Sequence, residues 1–237
     1  MRALLLAAGL GTRLRPITDR VPKCLVEVQG KPLLDYWFDN LFEAGVERAL
    51  VNTHYLGALV ESHVLRSPWR DRIDLVHETE LLGTGGTILA NAEFARGGAL
   101  MVAHADNLTD FDARTLTAAH AKRPRGAVMT MLAFRTDHPR SCGILECDEE
   151  GIVRAFHEKV ENPPGDLANG AVYILEPDVL NLLESFHTPV IDFSTEVIPK
   201  LMGRILAVPL DCYHRDIGSP EALRKAEIEY RPKLGRS

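Results

Sequence analysis

Near its start the chain sets Gly9-Leu10-Gly11-Thr12-Arg13-Leu14-Arg15-Pro16 directly after an apolar run, Ala3 to Ala8, and follows it with Pro22-Lys23. Small residues and cations in that order suit the holding of a polyphosphate. Glycine lets backbone approach phosphate oxygens and take positive φ, successive peptide N–H groups form an anion-binding nest, and arginine and lysine supply countercharge. The two best-known phosphate loops do not match. The dinucleotide fingerprint needs a glycine where Leu14 stands, and Gly30-Lys31 runs into Pro32 rather than Ser or Thr. A secretory signal fits poorly, because the apolar run is short and two arginines follow it at once. Taken alone, an ordinary strand-turn with surface arginines stays open.

Further candidates lie downstream. Glu78-Thr79-Glu80-Leu81-Leu82-Gly83-Thr84-Gly85-Gly86-Thr87 is a glycine-rich entry to a helix, able to offer N–H groups to a polar ligand or to let a flat ring lie on backbone. A flexible loop is its plainer reading. Leu100 to Ala103 leads through His104-Ala105 to Asp106, an acid at a strand end, and Tyr213-His214-Arg215-Asp216 supplies another; two carboxylates are hard-oxygen ligands of the kind Mg²⁺ takes. Phe156-His157-Glu158-Lys159 is an exposed ion pair unless its context says otherwise. The nine histidines show no helix pair at zinc spacing and are read as packing or supporting residues.

These groups need a scaffold. In the first half, strand patterns at Ala3–Ala7, Arg48–Asn52, Ile73–His77 and Ala99–Ala103 alternate with helices at about Pro32–Glu43, Leu56–Arg66 and Gly85–Phe94. Leu33, Leu34, Trp37, Phe38, Leu41 and Phe42 form the buried stripe of the first helix, with Pro32 suited to its first turn and Gly45 to its stop. Such alternation predicts a parallel, right-handed sheet layered by helices, with ligands at the strand carboxyl ends. The second half shows short strands at Gly126–Phe134, Cys142–Cys147, Val153–His157 and Ala171–Leu175, a mixed-sheet extension that walls and lids the site. Helices are expected at Asp178–Phe186, Ser194–Met202 and Pro220–Glu229.

Composition narrows the class. With 237 residues, 46% hydrophobic and 25% charged, the chain reads as one large domain that buries a proper core. A net charge of −6 argues against a nucleic-acid-coating protein, so phosphate binding must be local. Cys24, Cys142, Cys147 and Cys212 form no Cys-x-x-Cys pair and read as free thiols of a reducing, cytoplasmic setting. No run approaches the length of a membrane helix.

Leu5-Leu6-Ala7-Ala8-Gly9-Leu10-Gly11-Thr12-Arg13-Leu14 with Pro22-Lys23 resembles the opening motif of the sugar-1-phosphate nucleotidylyltransferases. The later segments resemble that family's motifs in order: Leu-Gly-Thr-Gly-Gly at 82–86, the aspartate at 106, Glu-Lys at 158–159, Asn169 and Asp-Ile-Gly-Ser-Pro at 216–220. The resemblance implies a Rossmann-like, glycosyltransferase-A-like nucleotidyltransferase fold over 1–237, with a nucleotide half (1–110) and a sugar-phosphate half and lid (111–237). It implies transfer of a nucleotidyl group to a sugar 1-phosphate with release of pyrophosphate. The nucleotide would meet Leu6, Ala7, Ala8, Gly9, Gly11, Thr12, Arg13, Glu78, Gly83 and Thr84. The sugar phosphate would meet Gly143, Glu158, Lys159 and Asn169, and Mg²⁺ would sit on Asp106 and Asp216. Arg13, Lys23, Asp106, Lys159 and Asp216 would carry the chemistry.

The chain departs from the pattern at four places. Ala105 stands for a glycine and is expected to narrow the room beside the metal; Val160 stands for proline, Ser219 for threonine, and in Asn169-Gly170-Ala171-Val172-Tyr173 the glycine falls one place early. With Asp192-Phe193-Ser194-Thr195-Glu196 downstream, the substrates most resemble GTP with mannose or manno-heptose 1-phosphate. Uridylyl transfer to another hexose phosphate, or a silent nucleotide-sugar sensor, are the alternatives; a dehydrogenase lacks its third glycine. With the last helix placed near the end of the sequence, no appended β-helix is expected, and a homo-oligomer is compatible with the sequence.

Overall fold

The computed structural model describes residues 1–231, so the last six residues of the expected single domain lie outside the described residues. Strand β1 (Arg2–Leu6) is apolar on both faces from Ala3 onward and lies in the middle of a nine-stranded sheet. It pairs in parallel with β4 (Ala49–Thr53) and β6 (Leu100–His104), and β4 pairs in parallel with β5 (Ile73–His77). Continuous apolar runs of this kind belong to strands covered on both sides. Between β1 and β4 come a small hairpin, β2 (Glu27–Val28) with β3 (Lys31–Pro32), and helix α1 (Leu33–Glu43). Helix α1 buries the expected stripe, and Gly45 takes φ +85° just beyond its end. Helices α2 (Gly57–Val64) and α3 (Gly83–Ala90) complete the alternation.

The second half adds antiparallel pairing as expected. After β7 (Asn107–Thr109) and α4 (Ala113–Ala121) come β8 (Met129–Arg135), β9 (Gly143–Cys147), β10 (Val153–Glu158) and β11 (Leu167–Leu175). The strand order is β10-β9-β11-β6-β1-β4-β5, with β8 beside β11 and a further strand, β12 (Ile205–Pro209), parallel to β8. A bulge between Asn169 and Tyr173 lets β11 change partners: Ala168 faces Ile144 of β9, while Val172 to Leu175 face β6. Helix α5 (Pro177–Glu184) follows, then β13 (His214–Asp216) and α6 (Pro220–Glu229).

Two expectations on elements are corrected. The helix expected over Ser194–Met202 is a π turn at Phe193–Val197 running into a 3₁₀ turn at Ile198–Leu201, because Pro199 has no N–H to continue an α ladder. The helix expected to reach Phe94 stops at Ala90, with a 3₁₀ turn over Ala92–Ala95. Helix α4, strand β12 and the ribbon β7–β13 had no counterpart in the sequence reading.

Two apolar clusters cover the two faces of the sheet. A third unites Leu14, Val26, Val28, Leu33, Leu108, Ile217, Ala226 and Tyr230. Leu14 and Ile217 are both fully buried there, so the neighbours Arg13 and Asp216 are carried on anchored backbone.

Candidate active site

The loop after β1 folds into three 3₁₀ turns, Thr12–Leu14, Ile17–Asp19 and Lys23–Leu25. Gly11 takes φ +64° and receives the Thr18 hydroxyl on its carbonyl at 2.7 Å; a methyl there would stand 2.8 Å from Thr18 Cγ2. The N–H groups of Ala8, Gly9, Leu10 and Gly11 meet no acceptor among the described residues, which leaves a row of donors for an anion. Ala7 differs. Its N–H is bonded to Asn52 Oδ1 at 2.6 Å, so of the nucleotide contacts expected from Ala7 the N–H is withdrawn.

Four of the five residues expected to carry the chemistry, Arg13, Lys23, Asp106 and Asp216, meet in one place. Lys23, only 7% exposed, sets Nζ 2.5 Å from Asp106 Oδ2 and 3.0 Å from Asp216 Oδ1. Arg13 Nη2 reaches Asp216 Oδ2 at 3.5 Å. The cause is the ribbon β7–β13, which sets Asp216 opposite Asn107 and lets Ile217 N–H bond to Asp106 O at 3.1 Å. Burial alone would lower the Lys23 pKa, but the two carboxylates outweigh it and hold it above the usual lysine value. Burial likewise works to raise Asp106, and Lys23 beside it wins and holds it below the usual carboxylate value. Gly218 makes the approach possible, since a methyl there would fall 2.6 Å from Asp216 Oδ2 and 2.8 Å from Arg13 Nη2.

Ala105 does not narrow the room beside Asp106. It is fully buried in the cluster with Ala103, Phe111 and Ala113, so its methyl fills core. Ser219 caps α6, its hydroxyl accepting Ala222 N–H at 3.2 Å.

The glycine-rich segment behaves differently from its expectation. Gly85 and Gly86 give their N–H groups to Ile191 O at 2.8 and 3.3 Å, and a methyl on Gly86 would meet Pro189 O at 2.1 Å. Its glycines admit a neighbouring stretch of the same chain, so those two N–H groups are not offered to a ligand. Gly83, at φ +71°, likewise faces Ile191 O, and Thr84 Oγ1 accepts Phe193 N–H at 3.0 Å. Glu78 is buried beside them, with Oε1 accepting from Asn52 Nδ2 at 3.0 Å and Thr87 Oγ1 at 2.6 Å.

Among the residues expected to meet the sugar phosphate, Glu158 of β10 stands opposite Gly143 of β9; a methyl on Gly143 would meet the Phe156 ring at 2.5 Å and Glu158 Oε2 at 2.6 Å. Lys159 takes φ +49°, and its Nζ lies 3.1 Å from Glu158 Oε1. Asn169 Oδ1 accepts Ala171 N–H and its Nδ2 donates to Tyr173 Oη, both at 2.8 Å, so its carboxamide holds the β11 bulge. Ala171 sits at φ +51°, in the left-handed region that favours glycine. A cleft of about 500 Å³ is lined by Arg13, Arg135, Lys159, His214, Asp216 and Lys225, among others.

His104 and His214 are held neutral-leaning by burial, which pushes His214 down to about 4. His214 Nδ1 is buried without a partner among the described residues, and its ring packs against Phe134 at 4.2 Å. All four cysteines are free, and burial drives the Cys24 thiol up to about 12. Among the described residues no cluster of three or more His, Cys, Asp or Glu is set to hold a metal, and no helix is long and apolar enough to cross a membrane.

Against known proteins, the family model described as nucleotidyl transferase matches residues 2–232. The chain is 34% identical to mannose-1-phosphate guanylyltransferase of Mycobacterium tuberculosis, over 92% of this chain and 61% of that one. It is 31% identical to the mannose-1-phosphate guanylyltransferase catalytic subunit beta of Drosophila melanogaster, over 93% of this chain and 60% of that one. The chain thus spans about 60% of the length of these curated relatives. Among solved structures, HddC from Yersinia pseudotuberculosis superposes with a TM-score of 0.81 at 26% identity, covering 97% and 99% of the two chains. The same protein complexed with GMP-PN gives 0.80. A putative glucose-1-phosphate thymidylyltransferase from Bacillus anthracis, 18% identical, shares the fold at a TM-score of 0.83, covering 96% of this chain and 94% of that one.

Proposed function

The chain belongs to the nucleotidyl transferase family, and from that premise we propose that it transfers a nucleotidyl group from a nucleoside triphosphate, GTP by preference, to mannose or manno-heptose 1-phosphate. The products are the nucleoside-diphosphate sugar and pyrophosphate. The observation that carries this reading is the meeting of Lys23, Asp106, Asp216 and Arg13 beside the open N–H groups of Ala8 to Gly11.

A sugar phosphate with a second pKa of about 6 is largely dianionic at neutral pH and needs no base to attack. One of its oxygens bonds to the α-phosphorus, and the bond from that phosphorus to the bridging oxygen of the departing pyrophosphate breaks. The requirements are relief of repulsion between two polyanions, in-line alignment, and stabilisation of the leaving charge. Arg13 holds the departing phosphates, Lys23 neutralises charge between the substrates, and Lys159 seats the sugar phosphate with Glu158 on sugar hydroxyls. The N–H groups of residues 8 to 11 cradle the triphosphate.

Asp106 and Asp216 suit Mg²⁺, because that ion is commonly held by one or two carboxylates together with substrate phosphates. When bound it supplies positive charge to the transferring phosphate. The free thiols support a reducing, cytoplasmic setting. Within the single domain, residues 1–110 serve the nucleotide and 111–237 the sugar phosphate.

The test is pyrophosphate release over a matrix of four nucleoside triphosphates and several sugar 1-phosphates, with Mg²⁺ or EDTA. Turnover is expected with GTP and a manno-configured 1-phosphate. Preference for UTP would move the reading to a uridylyltransferase, and no turnover with any pair would replace it by a nucleotide-sugar sensor.

A further inference from the structure

We propose that Asn52 is a positioning residue that aims the Glu78 carboxylate at a nucleobase edge carrying two adjacent N–H donors, the guanine edge, and ties that reader to the phosphate loop. The inference rests on the nucleotidylyl-transfer reading above and goes on to say how the base is chosen.

Asn52 ends the apolar part of β4 and is 2% exposed. A carboxamide in such a place carries a desolvation cost unless each end is bonded. Its Oδ1 accepts the Ala7 N–H at 2.6 Å, and its Nδ2 donates to Glu78 Oε1 at 3.0 Å. The Thr87 hydroxyl donates to that same oxygen at 2.6 Å. Two donors on one oxygen fix the rotation of the Glu78 carboxylate. Its other oxygen, Oε2, bonds to none of the described residues, and it is not among the sealed polar atoms. Glu78 follows β5 at the carboxyl edge of the parallel sheet, where open α/β sheets take ligands.

A carboxylate only accepts hydrogen bonds. Guanine presents N1–H and the 2-amino group side by side, one for each lone pair of Oε2. Uracil and thymine set a single N–H between two carbonyls, and adenine sets its amino group beside an acceptor nitrogen. Xanthine keeps the N1–H of guanine but puts a carbonyl where the amino group was, so it meets Oε2 with a lone pair.

The experiment measures equilibrium binding and pyrophosphate release with GTP and XTP. The wild type should prefer GTP by about a hundredfold or more, as expected where a buried group is left unpaired by the wrong ligand. Glu78→Gln should reverse that preference, because a carboxamide can donate to the xanthine carbonyl. Asn52→Asp keeps an acceptor for Ala7 N–H but sets an oxygen against Glu78 Oε1; it should cut the GTP:XTP ratio by about tenfold or more, through KM rather than kcat. Thr87→Val should do the same, and Thr87→Ser, which keeps the hydroxyl, should retain the preference. An unchanged ratio in Glu78→Gln, or a wild type that binds XTP or UTP as well as GTP, would overturn the proposal. If Asn52→Asp does not fold, Asn52→Ser, too short to bridge Ala7 N–H and Glu78 Oε1, takes its place, and an unchanged GTP:XTP ratio in the folded Asn52 variant would overturn the proposal. Absence of turnover with every sugar phosphate would remove the transfer reading, while the binding ratios would still decide this one.

Discussion

Lys23 Nζ lies 2.5 Å from Asp106 Oδ2, and the same nitrogen also holds Asp216. The free site therefore keeps its two acids together with a cation of its own. Removing that cation has two consequences of opposite sign.

Lys23→Met should lower kcat/KM by about a hundred- to thousandfold, the effect of losing one charge-stabilising donor. It should also tighten Mn²⁺ binding to the nucleotide-free protein by about tenfold, because two carboxylates then face an ion without a resident competitor. Electron paramagnetic resonance of free Mn²⁺ measures this; equal or weaker binding would show that Lys23 does not compete for the acids.

Gly218→Ala should reduce activity far more than stability. A methyl there collides with Asp216 Oδ2 and Arg13 Nη2, both on the exposed side of the site. A drop in kcat of about tenfold or more at nearly unchanged melting temperature is expected. Loss of both in proportion would mean that Gly218 serves folding instead.

Ala171→Gly should stabilise the protein. An alanine at φ +51° carries a left-handed strain of about 1 kcal/mol that glycine lacks. The gain is partly offset by chain entropy, so the melting temperature should rise by up to about 2–4 °C. A fall would show that the Ala171 methyl contributes packing that outweighs the strain.

His120 makes stability fall on the acid side. Burial is the main reason that its pKa lies below the ordinary 6.5, against the pull of Glu176 and with the help of Arg123. The unfolded chain thus binds a proton that the native protein refuses, and stability is lost as pH drops below 6.5 towards the native pKa. Its neighbours are the Thr130 hydroxyl, at 2.8 Å from Nδ1, and Glu176, at 2.8 Å from Nε2. Denaturant midpoints at pH 7.5 and 5.5 should differ less in His120→Gln than in the wild type; His104 and His214, also depressed, keep part of the slope.

The parallel half was legible because most of its strands are apolar runs that give way to polar residues at their carboxyl ends, as Leu100–His104 shows. The ribbon that closes the site was not. Asn107–Thr109 and His214–Asp216 are three-residue strands with no alternation of their own, and each exists only because the other pairs with it. The same reason hid Asn52 and the glycine contacts with Pro189 and Ile191. Asp106, Asp216, Lys23 and Arg13 could be named from their motifs, but their common meeting point depends on backbone pairing between distant segments. The lone polar residue in Ala49-Leu50-Val51-Asn52 was the available signal for Asn52, since an apolar strand rarely keeps a buried amide without a partner.

Asp106 and Asp216 are proposed to act with Lys23 on the transferring phosphate. The most direct test of this role is pyrophosphate release from GTP and mannose 1-phosphate or manno-heptose 1-phosphate by the wild type, with and without EDTA, and by Asp106→Ala. Release is expected with at least one of these sugar phosphates, abolished by EDTA and reduced about a hundredfold or more by the substitution. Release at the full rate in EDTA, or in Asp106→Ala, would contradict it.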